Sequence, residues 1–206
     1  MLKLVSTPIG NLKDITLRAI EALKEADVII CEDTRETIKL LKHLDILPKQ
    51  LLSFYEEVEA QKQDEILKLI QDDNFRAVLV SDAGTPLISD PGYKLVREAM
   101  RRDIKVDAIP GPCAAIDALV LSGLPPDKFS YWGFFNKKIQ SHEGTNIYYV
   151  SPHRLQKFLA KLDRKLEIVV ARELTKMYQE VWHGTVSDAI LKFVKPRGEF
   201  VVLWHI

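Results

Sequence analysis

The chain has 206 residues, 47% of them apolar, and its 29 lysines and arginines balance 29 aspartates and glutamates. That length suits one large domain or two small ones, with enough apolar material for ordinary cores and no need of a metal or disulfide staple. A neutral chain is not the usual footprint of a tight nucleic-acid binder, so a polynucleotide substrate would rely on local basic patches, and two distant cysteines, Cys31 and Cys113, exclude a CxxC redox or zinc site.

Residues 2–6 read as a strand that runs into Pro8 and Gly10, without the charged and apolar stretches of a signal peptide. No apolar run approaches the roughly 20 residues that span a bilayer. A soluble, cytoplasmic protein with no membrane partner is therefore expected. The next elements are a helix over 16–25 that Asp14 can cap, a strand at 28–31, and a helix marked by Ile38, Leu41 and Leu44. A short strand at 51–54 precedes a helix carrying Ile66, Leu69 and Ile70. Strands at 77–81 and 106–109 then flank a helix using Leu95, Val96, Ala99 and Met100. Strands separated by helices of this length predict a mostly parallel sheet covered on both faces.

After Pro110 the pattern changes. Ile116, Leu119 and Val120 lie on a helix that stops near Gly123, and strand-like runs follow at 129–134, 147–150, 167–171, 180–184 and 199–203. Two helices interrupt them, one with Leu155, Phe158, Leu159 and Leu162, the other with Ile190, Phe193 and Val194. The fold class is α/β with two domains: residues 1–115 around a mostly parallel sheet and residues 116–206 around a mixed one.

Ligands in open α/β sheets sit beyond the carboxyl ends of the strands, so the loops there carry the chemistry. Thr7-Pro8-Ile9-Gly10-Asn11 places a glycine where backbone can approach a ligand or simply turn, and it is not a GxGxxG fingerprint. Glu32-Asp33-Thr34-Arg35 offers an acidic group to a hydroxyl, or a helix cap. Ser81-Asp82-Ala83-Gly84-Thr85-Pro86-Leu87-Ile88-Ser89-Asp90-Pro91-Gly92 is much longer than the roughly 2–6 residues usual for such a connection, and its restricted residues suit a rigid ligand-facing loop. Pro110-Gly111-Pro112-Cys113-Ala114-Ala115 combines small side chains with free amides at a helix start, fit for a carboxylate or for tight packing. The histidines are scattered, and no metal site is expected.

Together with Ser122-Gly123-Leu124-Pro125, Ser151-Pro152-His153-Arg154, Ala171-Arg172-Glu173-Leu174-Thr175-Lys176 and Pro196-Arg197-Gly198-Glu199-Phe200-Val201, these segments resemble the tetrapyrrole methylase superfamily. More narrowly they resemble its branch that 2′-O-methylates a cytidine of small-subunit ribosomal RNA. The resemblance covers nearly the whole chain in order. It implies S-adenosylmethionine as methyl donor, folded into the cleft between the two domains, and a homodimer acting on small-subunit ribosomal RNA or the ribosomal subunit. By motif position the donor would contact Pro8, Gly10, Asp82, Thr85, Ile88, Cys113 and Ala114, with Val150 and Leu174 from the second domain. Two departures stand out: the 135–148 segment is shorter than the family pattern, and Val150 occupies a position where a glutamate usually precedes Ser-Pro-His-Arg.

A ribose hydroxyl is a poor nucleophile and gains from a base or from charge that favours its alkoxide character. Polarity and loop position nominate Asp33, Arg35, Glu173 and Lys176 as catalytic groups, carboxylates for the proton and cations for phosphate. Lys39, Lys42, Lys137, Lys138 and Arg154 would form a basic rim. Two other outcomes are compatible with these motifs: methylation of a tetrapyrrole or other small molecule, and a non-catalytic relative that only binds the donor.

Overall fold

A computed structural model describes residues 1–55, 59–72 and 74–206, and the chain divides into two units, Met1–Cys113 and Ala114–Ile206. In the first unit, strands β1 (Leu2–Val5), β2 (Val28–Cys31), β3 (Leu51–Ser53), β4 (Ala77–Leu79) and β5 (Val106–Ile109) form one sheet in the order β3-β2-β4-β1-β5. All its pairings are parallel. Between the strands run α1 (Leu17–Glu25), α2 (Thr34–His43), α3 (Glu59–Leu69) and α4 (Tyr93–Arg101).

Side chains alternate across a strand, and that period of two sorts the helices onto faces. Ile29, Cys31, Val78 and Val80 pack with Ala19, Ala22 and Leu23 of α1 and Leu41 of α2. Val28, Ile30, Ala77 and Leu79 pack on the other face with Ile66 and Leu67 of α3 and Leu95 and Ala99 of α4. Strands apolar on both sides need cover on both sides, which is why this sheet is parallel and interior. The expected cap of α1 is corrected: Asp14 closes a short 3-10 turn (Leu12–Asp14), and Thr16 caps α1, its hydroxyl accepting the Ala19 N–H at 3.1 Å. Met100, placed on the inner side of α4 by its spacing, is 62% exposed.

The second unit contains α5 (Ala114–Ser122), β6 (Phe129–Phe134), β7 (Thr145–Val150), α6 (Pro152–Leu159), β8 (Glu167–Arg172), β9 (Glu180–Thr185), α7 (Val186–Lys192) and β10 (Phe200–His205). The sheet order is β6-β7-β10-β8-β9, with β6 parallel to β7 and the other pairs antiparallel. One face packs Tyr148, Val170, Val202 and Trp204 against Leu155, Phe158 and Leu159 of α6 and Val186 and Ala189 of α7. Pro152 opens α6 at its first turn, where a missing N–H costs nothing. Helix α5 lies along β7, β8, β9 and β10 through Ala115, Ala118, Leu119 and Ser122. Its larger apolar residues point away: Ile116 is 42% and Val120 74% exposed.

Phe158 is fully buried and meets Phe135 edge-on with ring centroids 5.0 Å apart. Phe158→Ala removes that ring and leaves a cavity, and is expected to cost about 3–5 kcal/mol, read as a shift in the urea unfolding midpoint.

Candidate functional site

The loop after β1 leads to α1 on one face of the first sheet, while the loop after its neighbour β4 leads to α4 on the opposite face. The loop after β2, on the other side of β4, leads to α2 on the first face. Adjacent loops that part in this way leave a crevice at the carboxyl edge of the sheet. Both crevices flank the β4 loop, residues 80–92.

Hydrogen bonds lash this loop to its neighbours. Thr7 and Gly84 exchange backbone bonds, Thr7 N to Gly84 O at 2.9 Å and Gly84 N to Thr7 O at 3.1 Å. The buried Thr7 hydroxyl donates to Ser81 O at 3.2 Å, and the Ser81 hydroxyl donates to Gly84 O at 3.0 Å. Thr85 Oγ1 donates to Pro112 O at 2.9 Å and lies 3.1 Å from Ser6 Oγ, which ties in the loop after β5. A Cβ on Gly111 would stand 2.7 Å from Ser6 Cβ, so a side chain there would collide with the Ser6 side chain. The left-handed backbone falls at Gly84 (φ 87°) rather than at Gly10, because the turn that needs it follows β4.

On the other side of β4, the Asp33 N–H donates to Asp82 Oδ1 at 3.0 Å. Asp33 caps α2 and grips the Arg35 guanidinium through both oxygens, with Nη2 to Oδ2 at 2.6 Å. The Arg35 side chain bond, with the Arg35 backbone N–H behind it, holds the Asp33 carboxyl at about 2. Burial pushes the Asp82 carboxyl up, with the negative charges of Asp33 and Glu36 in the same direction. Asp90, on the same loop, is pushed up to about 7 by burial first, then by Glu32 and Asp82, against a hydrogen bond from Ser81. Neither Asp90 nor Ser6 stood out in the sequence; their weight comes from neighbours distant along the chain.

Of the residues expected at the donor, Pro8, Gly10, Asp82, Thr85, Ile88 and Cys113 all fall on the loops after β1, β4 and β5, with Ala114 at the start of α5. Thr85 spends its hydroxyl on loop closure. Val150 and Leu174 lie in the second unit and are buried, at 1% and 6% exposed. In the second unit, Glu173 Oε1 accepts from Glu199 N at 2.9 Å and from Lys176 Nζ at 3.1 Å, and Lys176 also reaches Glu199 Oε2 at 2.9 Å. Burial raises the Glu173 carboxyl, but the Glu199 N–H and Lys176 outweigh it and hold the group below its ordinary value. Burial likewise opposes the charge on Lys176, which Glu199 and Glu173 nevertheless hold above its usual range. Gly198 (φ 88°) lies under this knot: a Cβ there would come within 2.6 Å of the Glu173 carboxyl group.

Among the described residues no group of three or more His, Cys, Asp and Glu is arranged to hold a metal, and no helix is long and apolar enough to cross a membrane.

Residues 1–190 match the family model of the tetrapyrrole (corrin/porphyrin) methylases. The chain is 45% identical to the ribosomal RNA small subunit methyltransferase I of Hydrogenobaculum sp., over 98% of this chain and 94% of that one. Among solved structures it is similar to a diphthine synthase, with a TM-score of 0.78 and 15% identity over 99% of this chain and 89% of that one. It is also similar to the uroporphyrin-III C-methyltransferase of Thermus thermophilus complexed with S-adenosylhomocysteine, with a TM-score of 0.66 and 17% identity over 98% and 96% of the two chains.

The raised Asp90 carboxyl makes a pH prediction. The folded chain holds this proton more tightly than the unfolded chain, so stability present below about pH 4 is lost as pH rises toward 7. Asp90→Asn stays neutral throughout, and its Tm relative to the parent is expected to rise between pH 5 and pH 8 in parallel thermal melts. A difference that stays flat with pH overturns the assignment.

Proposed function

Because this chain belongs to the tetrapyrrole methylase family and is a methyltransferase, we propose that it transfers the methyl of S-adenosylmethionine to the 2′-hydroxyl of a cytidine in small-subunit ribosomal RNA. The observation that carries the donor half is the lashed set of loops after β1, β4 and β5. The backbone exchange at Thr7 and Gly84, the tight packing of Gly111 on Ser6 and the hydroxyl ties leave a polar edge at the crevice. Such an edge suits a small zwitterion with a nucleoside body, which needs backbone donors and acceptors more than side-chain bulk. Pro8, Gly10, Asp82, Thr85, Ile88, Cys113 and Ala114 form the donor set, to which motif position adds Val150 and Leu174.

When bound, S-adenosylmethionine supplies an electrophilic methyl on a sulfonium. What the chain contributes is alignment of the attacking oxygen, which accounts for much of the acceleration in such a displacement. The protonated ether formed on attack is a strong acid. Its proton needs a well-placed acceptor rather than a strong base. That suits Asp33 and Glu173, both of which stay ionised at neutral pH. Asp33 also fixes Arg35, and Glu173 fixes Lys176, so each carboxylate orients a cation that can meet a flanking phosphate. Lys39, Lys42, Lys137, Lys138 and Arg154 make the basic rim, although Lys39 already pairs with Glu36. The ribosomal RNA half rests on the relative named above.

The homodimer reading draws support from α5. Ile116, Val120 and Leu121 leave an apolar strip on that helix, and a soluble monomer rarely exposes so much together.

Calorimetry should give binding of S-adenosylmethionine and S-adenosylhomocysteine and none of NAD; no binding of the first two removes the donor assignment. Asp33→Ala and Glu173→Ala should each lower tritiated-methyl transfer to under-methylated small ribosomal subunits by about a hundredfold or more, within the range of positioned proton transfer, with donor affinity nearly intact. Unchanged turnover in both would remove them as catalytic groups. Val120→Glu is expected to shift the sedimentation coefficient from dimer to monomer.

A further inference from the structure

The segment between β6 and β7 builds a cavity within the second unit. It has a volume of about 350 Å³ and is lined by Trp132, Phe134, Asn136, Lys137, Lys138 and Tyr148, among others. That is near the lower end of the range for small-ligand pockets, roughly 300–1,000 Å³, and it gives room for one nucleotide and not for a duplex.

Its walls are fixed. Asn146 is fully buried and satisfies all four of its hydrogen-bonding positions. Its Oδ1 accepts from Trp132 Nε1 at 3.0 Å and His142 N at 2.9 Å, and its Nδ2 donates to His142 O at 2.8 Å and Gly144 O at 3.1 Å. The Tyr148 hydroxyl accepts from Gln140 N at 2.7 Å and donates to Gln140 O at 3.1 Å. Trp204 Nε1 donates to Ser141 Oγ at 3.2 Å. The segment is thus sewn at three points to the ring column Trp132–Tyr148–Trp204, whose neighbours stack at 6.2 and 5.7 Å.

Two features of the cavity are left for a partner. Phe134 meets the Tyr149 ring edge-on at 5.3 Å between centroids, yet the residue is 60% exposed. Lys137 and Lys138 are both exposed, and among the described residues neither forms an ion pair, whereas nearby Lys128 is paired with Glu143 at 3.0 Å. In a chain of zero net charge, two unpaired ammonium groups beside the exposed Phe134 form a local site for an anion with a flat face. Single-stranded nucleic acid has that chemistry: bases stack on aromatic rings while lysines take the phosphates.

We propose that this cavity is an RNA contact, one that takes a single unstacked nucleotide with its base against Phe134 and its phosphates on Lys137 and Lys138. It rests on the ribosomal RNA reading above and gives two lysines of its basic rim a specific occupant within the second unit.

The test titrates the full chain into a fluorescein-labelled single-stranded RNA decamer, with inorganic polyphosphate as a competitor that has charge but no bases. Phe134→Ala is expected to weaken RNA binding about tenfold and to leave polyphosphate binding unchanged. The K137Q/K138Q double variant should weaken both and flatten the dependence of log Kd on log salt by about 1.4, the expected value for two phosphate contacts on a single strand. Both variants alter exposed side chains, and melting curves matching the parent would show that they fold. RNA binding equal to the parent in either variant overturns the proposal, as does a Phe134→Ala effect of the same size on polyphosphate. Methyl transfer to ribosomal subunits by the unaltered chain is measured alongside. Loss of decamer binding in the variants without any such transfer would keep the cavity as an RNA contact and discard the ribosomal acceptor.

Discussion

The exchange of backbone hydrogen bonds between Thr7 and Gly84 is the constraint from which the first unit's ligand-facing edge follows. A strand that ends in a proline-bearing loop would ordinarily leave its last N–H and C=O to water. Here each finds the other strand's loop instead, one bridge beyond the end of the regular ladder. That single bridge positions Thr7 to reach Ser81, and Gly84 to accept from Ser81. It also brings Thr85 within reach of Ser6 and Pro112. The β5 loop is therefore held through Thr85, and the three loops move as one. An edge ordered during folding loses little further freedom when a ligand arrives.

Charge is handled differently on the two sides of β4. Toward β1 and β5 the ties are hydroxyls and backbone, with no charge. Toward β2 the acids gather: Asp33, Asp82 and Asp90 lie around one loop and resolve their repulsion unequally. Asp33 has Arg35 and stays fully ionised; Asp90 has only a serine hydroxyl and retains its proton to near neutrality. Groups so different in proton affinity on one short edge are typical of places where chemistry is done. The second unit has two three-residue ionic clusters, Glu173 and Glu199 around Lys176, and Arg172 and Lys192 around Glu180.

Much of this was legible in the residues. The parallel sheet followed from strands such as Val28–Cys31, apolar at every position, and the mixed sheet from the change of pattern after Pro110. The loops were legible because glycine, proline and aspartate crowd only where backbone is constrained, and their order along the chain pointed to the family. What was not legible depends on distant neighbours. Both Asp14 and Thr16 are sound caps by composition, and only the 3-10 turn before α1 decides for Thr16. Ile116 and Val120 have the spacing of a buried stripe, yet the sheet accepts the small side chains of α5 instead. Asp90 looks like any loop aspartate until Glu32 is placed near it. The 135–148 segment gave no sign of a cavity in its residues, and the structure shows it closed onto Asn146 and Tyr148 around one.

The contact between Gly198 and Glu173 reaches beyond geometry into how such a sequence can drift. The two positions are far apart along the chain, and either alone would pass for an ordinary loop residue. Yet any side chain at 198 would displace the carboxyl group that holds Lys176 and the Glu199 N–H. A substitution at 198 therefore acts on Glu173, Lys176 and the Glu199 N–H at once, without altering any of the three.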